Sequence, residues 1–165
     1  MFLSIWSQSK DIRIGLFQYT QNVKAEVKYN IGRYDFFSES KNFAILTNIT
    51  DKITFVSSGE KVKAYLNGIK LGEHTWFRLD RRSESNSVRV TNGVKTKKCK
   101  GNIIVYSIKG KLFLVNELSI DKYVEGVIKG EAGYGYSSEY DKVQAVISRT
   151  YTLHHQKHKH EGLDL

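Results

Sequence analysis

Val115–Tyr151, VNELSIDKYVEGVIKGEAGYGYSSEYDKVQAVISRTY, is the stretch that decides the fold class, because two helical patterns flank one short Gly/Tyr segment. In the first pattern Ile120, Val124, Val127 and Ile128 fall at i, i+4, i+7 and i+8, one stripe of a 3.6-residue helix. Ser119 is placed to cap its free amides, and Asp121 lies in the positive first turn. Gly130 and Gly133 bracket Glu131, and a glycine at a helix end supplies the left-handed backbone that stops the helix. Glu131 is therefore expected just past the end of the first helix. The second helix is expected to begin near Ser137 or Ser138, with Val143, Val146, Ile147 and Thr150 on one face. Lys142 and Arg149 stand at i and i+7, two turns apart, and so share another face. One carboxylate then stands opposite two cations.

Upstream, runs of strand length recur at Ile12–Phe17, Val23–Tyr29, Phe43–Leu46, Ile53–Val56, Val62–Leu66, Trp76–Leu79, Ser87–Val90, Ile103–Ile108 and Lys111–Val115. Asn67-Gly68, Asn92-Gly93 and Lys109-Gly110 read as short hairpin connections. Strands first and helices last argue an α+β fold: a β-rich N-terminal two-thirds, then two amphipathic helices carrying the candidate loop. The even spacing from about 41 to 90 predicts a small antiparallel module within one domain spanning 10–165. No repeat or low-complexity tract interrupts it.

The chain has 165 residues, with 26 Lys and Arg against 17 Asp and Glu, a formal net charge of +9. The basic residues concentrate at Arg78–Arg82 and Lys95–Lys100. Such a surface suits any polyanion, including anionic lipid, teichoic acid or glycan carboxylates. No nucleic-acid motif accompanies it, and aromatic and basic residues are not interleaved as in a base-stacking module, so no nucleic-acid partner is expected. Cys99 is the sole cysteine, which excludes an intramolecular disulfide and a Cys-based zinc motif within the chain. Met1–Ser9 is apolar but too short to span a bilayer, and Ser7-x-Ser9 fits a small-x-small cleavage pattern. It reads as a signal-peptide remnant, or as a first strand, and no transmembrane segment is expected.

Val115, Asn116, Glu117, Leu118, Asp121, Tyr123, Gly126, Val127 and Glu131, followed by Glu139, Lys142, Gln144, Ala145, Val146, Arg149, Thr150 and Tyr151, resemble the stage II sporulation protein D and amidase-enhancer family of bacterial cell-wall proteins. Weaker echoes precede them in IRIGLF at Ile12–Phe17 and in CKGNIIVYSIKGKLFLVNE at Cys99–Glu117. The resemblance implies a lytic transglycosylase that cleaves peptidoglycan glycan strands outside the cytoplasm, with Glu131 as acid and base and with Lys142 and Arg149 as functional cations. The family also holds non-catalytic enhancers that bind a cell-wall amidase or glycan, and a basic β-rich binding module is a further alternative. Tyr134, Tyr136 and Tyr151 are candidates to stack on a sugar face, with Gln144 beside them. Each residue also has a plainer reading: Glu131 as a solvated helix end, Glu139 and Lys142 as an i,i+3 ion pair, the tyrosines as packing.

Two departures from the family pattern concern the loop and the second helix, where Ala132-Gly133 stands in place of Met-Pro and Ser148 in place of Ala. His154 and His158 share a helix face in a His-rich tail. KHEGLDL at Lys159–Leu165 looks like the approach to a family zinc segment, which would make His160 a zinc ligand with partners beyond Leu165, in a chain truncated at its C-terminus. No cofactor is expected within the 165 residues themselves.

Overall fold

The computed structural model describes residues 11–18, 20–46, 48–131 and 137–155, apart from the side chains of Ala44, Ile45, Glu131 and His155. Met1–Ser9, Tyr134, Tyr136, His158 and His160 lie outside these residues. The chain divides into two compact units, Ile12–Leu118 and a second formed by Ser119–Leu165 with Met1–Asp11.

The first unit is built from alternation. Strands β1 (Asp11–Leu16), β3 (Tyr34–Ser38), β4 (Asn42–Leu46), β8 (Trp76–Arg81), β11 (Asn102–Ile108) and β12 (Lys111–Ser119) form one sheet in the order β1-β12-β11-β8-β3-β4. The other sheet takes β2 (Lys24–Ile31), β5 (Lys52–Ser58), β6 (Lys61–Leu66), β7 (Ile69–His74), β9 (Ser87–Thr91) and β10 (Thr96–Lys100) in the order β10-β9-β2-β5-β6-β7. Every second residue turns inward, as the two-residue period of a strand requires. Val27, Ile53, Phe55, Val62, Val88 and Val90 from one sheet meet Phe36, Phe77, Leu79, Ile103, Leu112 and Leu114 from the other in a single buried cluster. Phe36, Phe77 and Phe55 bridge the sheets with ring centroids 5.5, 5.8 and 6.0 Å apart. Each such aromatic pair adds about 0.5–1.5 kcal/mol beyond its buried area.

Two of the three hairpin dipeptides form the expected type I′ turns, while in Asn92-Gly93 only the glycine has positive φ. Asn67-Gly68 has φ of 49° and 88°, and Lys109-Gly110 has 49° and 78°, so both central residues are left-handed as a type I′ turn demands. The Asn92 amide nitrogen donates to the Lys95 carbonyl at 3.2 Å in the β9–β10 turn. The segment 41–90, expected as a module of its own, supplies β5, β6, β7 and β9 to one sheet and β4 and β8 to the other. Strands β3, β7 and β10 were not legible as apolar runs. Two of the three, β7 and β10, are the edge strands of one sheet: β10 reads TKKCK and buries only Cys99. An edge strand needs pairing on one side, and its lysines block the other.

The second unit contains α1 (Ile120–Glu131) and α2 (Ser138–His155). Ser119 Oγ accepts the Lys122 amide at 3.4 Å and Ser137 Oγ accepts the Tyr140 amide at 3.3 Å, so both helices carry the expected hydroxyl caps. The end of α1 differs from expectation. Gly130 keeps helical backbone, and Glu131 is the last helical residue rather than the first beyond it. A glycine inside a helix costs about 1 kcal/mol relative to alanine, too little to break a ladder already three turns long.

Candidate functional site

Along α1 burial fades toward the carboxylate: Ile120 and Val124 are buried, whereas Val127 and Ile128 are half-buried. A groove of about 390 Å³ lies between the helices, lined from α1 by Asp121, Val124, Glu125 and Ile128 and from α2 by Ala145, Val146, Arg149 and Thr150. Arg149 donates through Nη2 to Asp121 Oδ1 inside it. Asp121 and Glu131 are separated by ten residues of helix, about 15 Å of axial rise. The guanidinium therefore closes the end of the hairpin remote from the Glu131 backbone.

Lys142 stands two turns earlier on α2, about 10 Å closer to the α2 N-terminus. Its Nζ donates to Glu139 Oε1 at 2.7 Å, the i,i+3 pair that the plainer reading anticipated, and both side chains are largely exposed. Gln144 Nε2 donates to the Tyr140 hydroxyl at 3.1 Å. Tyr151 is exposed. Thus Arg149 is held by Asp121 and Lys142 by Glu139, while Glu131 contributes its place at the end of α1.

Glu125 is a groove residue that the sequence did not single out. It sits between Lys122 Nζ at 3.0 Å and Lys129 Nζ at 2.6 Å, and these ammonium groups hold its carboxyl at about 2. A carboxyl so acidic stays ionised and serves as a fixed charge, not as a proton donor. The signal was available in Lys122, Glu125 and Lys129, which are spaced i+3 and i+4.

The family-like Glu117 belongs instead to the β unit. Burial opposes its charge, yet hydrogen bonds from Arg13 Nε at 2.8 Å, Arg78 Nη2 at 2.5 Å and Asn102 Nδ2 at 3.2 Å outweigh that and lower its pKa. Arg78 Nε also donates to Asp80 Oδ1 at 2.5 Å. The network ties β1, β8, β11 and β12 together. Gly101, with φ of 108°, lets the chain pass the Glu117 carbonyl, which an added Cβ would meet at 2.4 Å.

Among the described residues no three His, Cys, Asp or Glu side chains gather to hold a metal. The zinc expectation at His160 falls outside those residues. No described helix is long and apolar enough to cross a membrane.

Comparison with known proteins adds two findings. An uncharacterised protein of Brachyspira hyodysenteriae is 30% identical over 140 residues, which make up 83% of this chain and 33% of that protein. The chain thus spans about a third of the length of the relative it matches. No solved structure matches. The family model described as stage II sporulation protein, SpoIID, matches residues 108–165, the end of β11, β12 and both helices. That match supports assigning residues 108–165 to the stage II sporulation protein (SpoIID) family.

Proposed function

We propose that the chain carries the Glu131-centred site of a lytic transglycosylase acting on peptidoglycan glycan strands. Membership of the SpoIID family supports a cell-wall-related role. The observation that carries the finer reading is the helix pair itself: in the family-matched segment α1 ends on Glu131 and α2 begins at Ser138, with Lys142 in its second turn.

In this reading the Glu131 carboxyl is protonated at rest. It donates its proton to the glycosidic oxygen between N-acetylmuramic acid and N-acetylglucosamine as the C1–O bond breaks, and the N-acetylglucosamine leaves as an alcohol. The Glu131 carboxylate then takes the proton of the muramyl C6 hydroxyl, whose oxygen closes on C1. A 1,6-anhydro ring forms without water, and Glu131 ends protonated as it began. One group acting as acid and then base is ordinary general catalysis and differs from the paired carboxylates of glycoside hydrolases. Of the two cations Lys142 lies nearer the Glu131 end, so it holds the anionic and acetamido groups of the strand. A cation so placed also lowers a neighbouring carboxyl pKa, which limits how close it can stand to a proton donor. Arg149 acts by fixing α2 to α1 through Asp121. Tyr134, Tyr136, Gln144 and Tyr151 are assigned by this reading to contact the sugar.

The second reading, a non-catalytic enhancer that binds a cell-wall amidase or glycan, is favoured by one observation. Val143, Val146 and Ile147, the apolar face expected of α2, are 56, 65 and 55% exposed. A partner covering that face would gain hydrophobic burial. Glu131→Gln separates the readings. The parent is expected to release 1,6-anhydro-muropeptides from peptide-stripped glycan, by mass spectrometry, and the variant to release none. Equal product from both refutes the catalytic reading. An amidase stimulated equally by both, with no anhydro product from either, establishes the enhancer.

A further inference from the structure

The outer face of the β10-β9-β2-β5 half-sheet carries a row of like charges that register alone creates. Lys98 of β10 is paired directly with Arg89 of β9, Arg89 with Lys28 of β2, and Lys28 with Lys52 of β5. Residues opposite one another across strands point to the same face, and their neighbours Cys99, Val88, Val27 and Ile53 are buried, so all four cations point outward. Adjacent strands lie about 4.8 Å apart, which makes the row about 14 Å long. Like charges directly opposite weaken a sheet, and this sheet repeats the fault across three consecutive strand pairs.

Little nearby neutralises it. Glu26, one step along β2, is shared by Lys24 at 3.8 Å, Lys52 at 3.9 Å and Lys28 at 4.0 Å. Among the described residues Arg89 and Lys98 have no carboxylate partner. A surface serving only as a solvated face would be expected to alternate its signs across strands. A local rule broken repeatedly, with no compensation inside the fold, marks a surface shaped by something outside it.

We propose that this face docks a linear, carboxylate-bearing polysaccharide, the glycan of the cell wall where its stem peptides have been removed and the muramyl lactyl carboxylates are free. The row beside the cations supplies the argument for a sugar. Thr96, Thr91, Thr54 and Tyr65 follow one another across β10, β9, β5 and β6 in line with Glu26, giving hydroxyls that can exchange hydrogen bonds with a polyol chain lying along the cations. Tyr65 is the single aromatic ring in these two rows, too few for a base-stacking surface. No large apolar side chain stands in either row to enter an acyl layer. The identity of the wall as partner rests on the cell-wall reading above, but binding here is independent of Glu131, and the test is run in Glu131→Gln as well as in the parent.

The whole chain is passed at low salt over beads bearing peptide-stripped glycan strands, and over the same beads after the muramyl carboxyls are amidated. Lys28→Gln/Arg89→Gln/Lys98→Gln is expected to weaken binding roughly tenfold. Amidation of the glycan and about 1 M NaCl, where the Debye length is about 3 Å, are expected to do the same to the parent. Arg33→Gln/Lys41→Gln/Lys109→Gln removes equal charge elsewhere and is expected to bind within about twofold of the parent. Because the row variant removes repulsion, its melting temperature should equal or exceed that of the parent. Should it melt lower, Arg89→Gln alone replaces it, with about a threefold loss expected. Equal loss in the control variant, or unchanged glycan binding in the row variant, overturns the proposal. So does a row effect seen only on phosphatidylglycerol vesicles or only on an oligothymidine strand. Loss of glycan cleavage in Glu131→Gln with glycan binding intact leaves this proposal standing apart from the catalytic one.

Discussion

Removing the Glu117 carboxylate should cost the β unit about 2 kcal/mol, and the magnitude follows from what it leaves behind. The Glu117 side chain is only 10% exposed and accepts from Arg13, Arg78 and Asn102. Truncating one partner of a fully buried ion pair costs about 3–5 kcal/mol, because the other charge is stranded. Here the stranding is partial: the Arg13 side chain is 39% exposed and Arg78 keeps Asp80 at 2.5 Å. That reduces the figure for Glu117→Ala to about 2 kcal/mol, or about 9 °C in melting temperature for the unit Ile12–Leu118. Glu117 also predicts a pH response. Its folded pKa lies below the ordinary 4.5, so the folded state binds fewer protons than the unfolded chain as the pH falls. The stabilisation is complete above that ordinary value and is lost as pH drops through the folded one. Glu39 and Glu125 are held low as well, so the quantity to read is the difference between parent and variant. Urea titrations followed by Trp76 emission in a Trp6→Phe background, repeated from pH 7 downward, should show the gap narrowing below the ordinary carboxyl value. A gap near zero at pH 7, or one independent of pH, refutes the assignment of Glu117 as the ionised centre of the network.

Gly101→Ala should cost at least about 3 kcal/mol, because φ of 108° is joined to a Cβ 2.4 Å from the Glu117 carbonyl oxygen and 2.8 Å from Leu118 Cβ. Gly93→Ala, with φ of 90° and open space around it, should cost only about 1 kcal/mol, so equal urea midpoints for the two variants would refute the crowding argument. Burial pushes the Cys99 thiol up to about 12, so Ellman's reagent at pH 8 should label it at the rate of unfolding, and rapid stoichiometric labelling of the native chain would contradict its burial.

What the sequence made legible about the fold was what side-chain periodicity controls. The inward residues of β5, β6, β9 and β11 alternate with polar ones or form continuous apolar runs, and the I′ dipeptides Asn67-Gly68 and Lys109-Gly110 give the turns that follow β6 and β11. Strand order is set by pairings distant in sequence, and no local pattern carries it. The pairing of β2 with β9, or of β8 with β11, depends on which inward faces fill the space around Phe36, Phe55 and Phe77. The same limit hid β3. Tyr34, Phe36 and Ser38 turn inward from YDFFS, but Asp35 and the adjacent Phe37 disguise the alternation.

At the candidate site, sequence spacing placed residues on helix faces without saying what each face meets. Lys142 and Arg149 share a face of α2, as their i and i+7 spacing requires, yet one is held by Glu139 on its own helix and the other by Asp121 on α1. A cation two turns from its neighbour is also about 10 Å from it. In an antiparallel hairpin that distance runs along the partner helix, so two such cations address different turns of α1. A single carboxylate at the end of α1 can draw directly on only one of them, and the Asp121 contact assigns Arg149 to the other end. The catalytic reading consequently predicts unequal roles: Lys142→Gln should act on substrate turnover while leaving helix pairing intact, whereas Arg149→Gln should loosen the pairing and act on turnover only through it. The Asp121 pair is exposed on both sides, so that loosening should amount to less than about 1 kcal/mol. A turnover loss in Arg149→Gln that exceeds what Asp121→Asn produces would show that the guanidinium leaves Asp121 to reach the sugar.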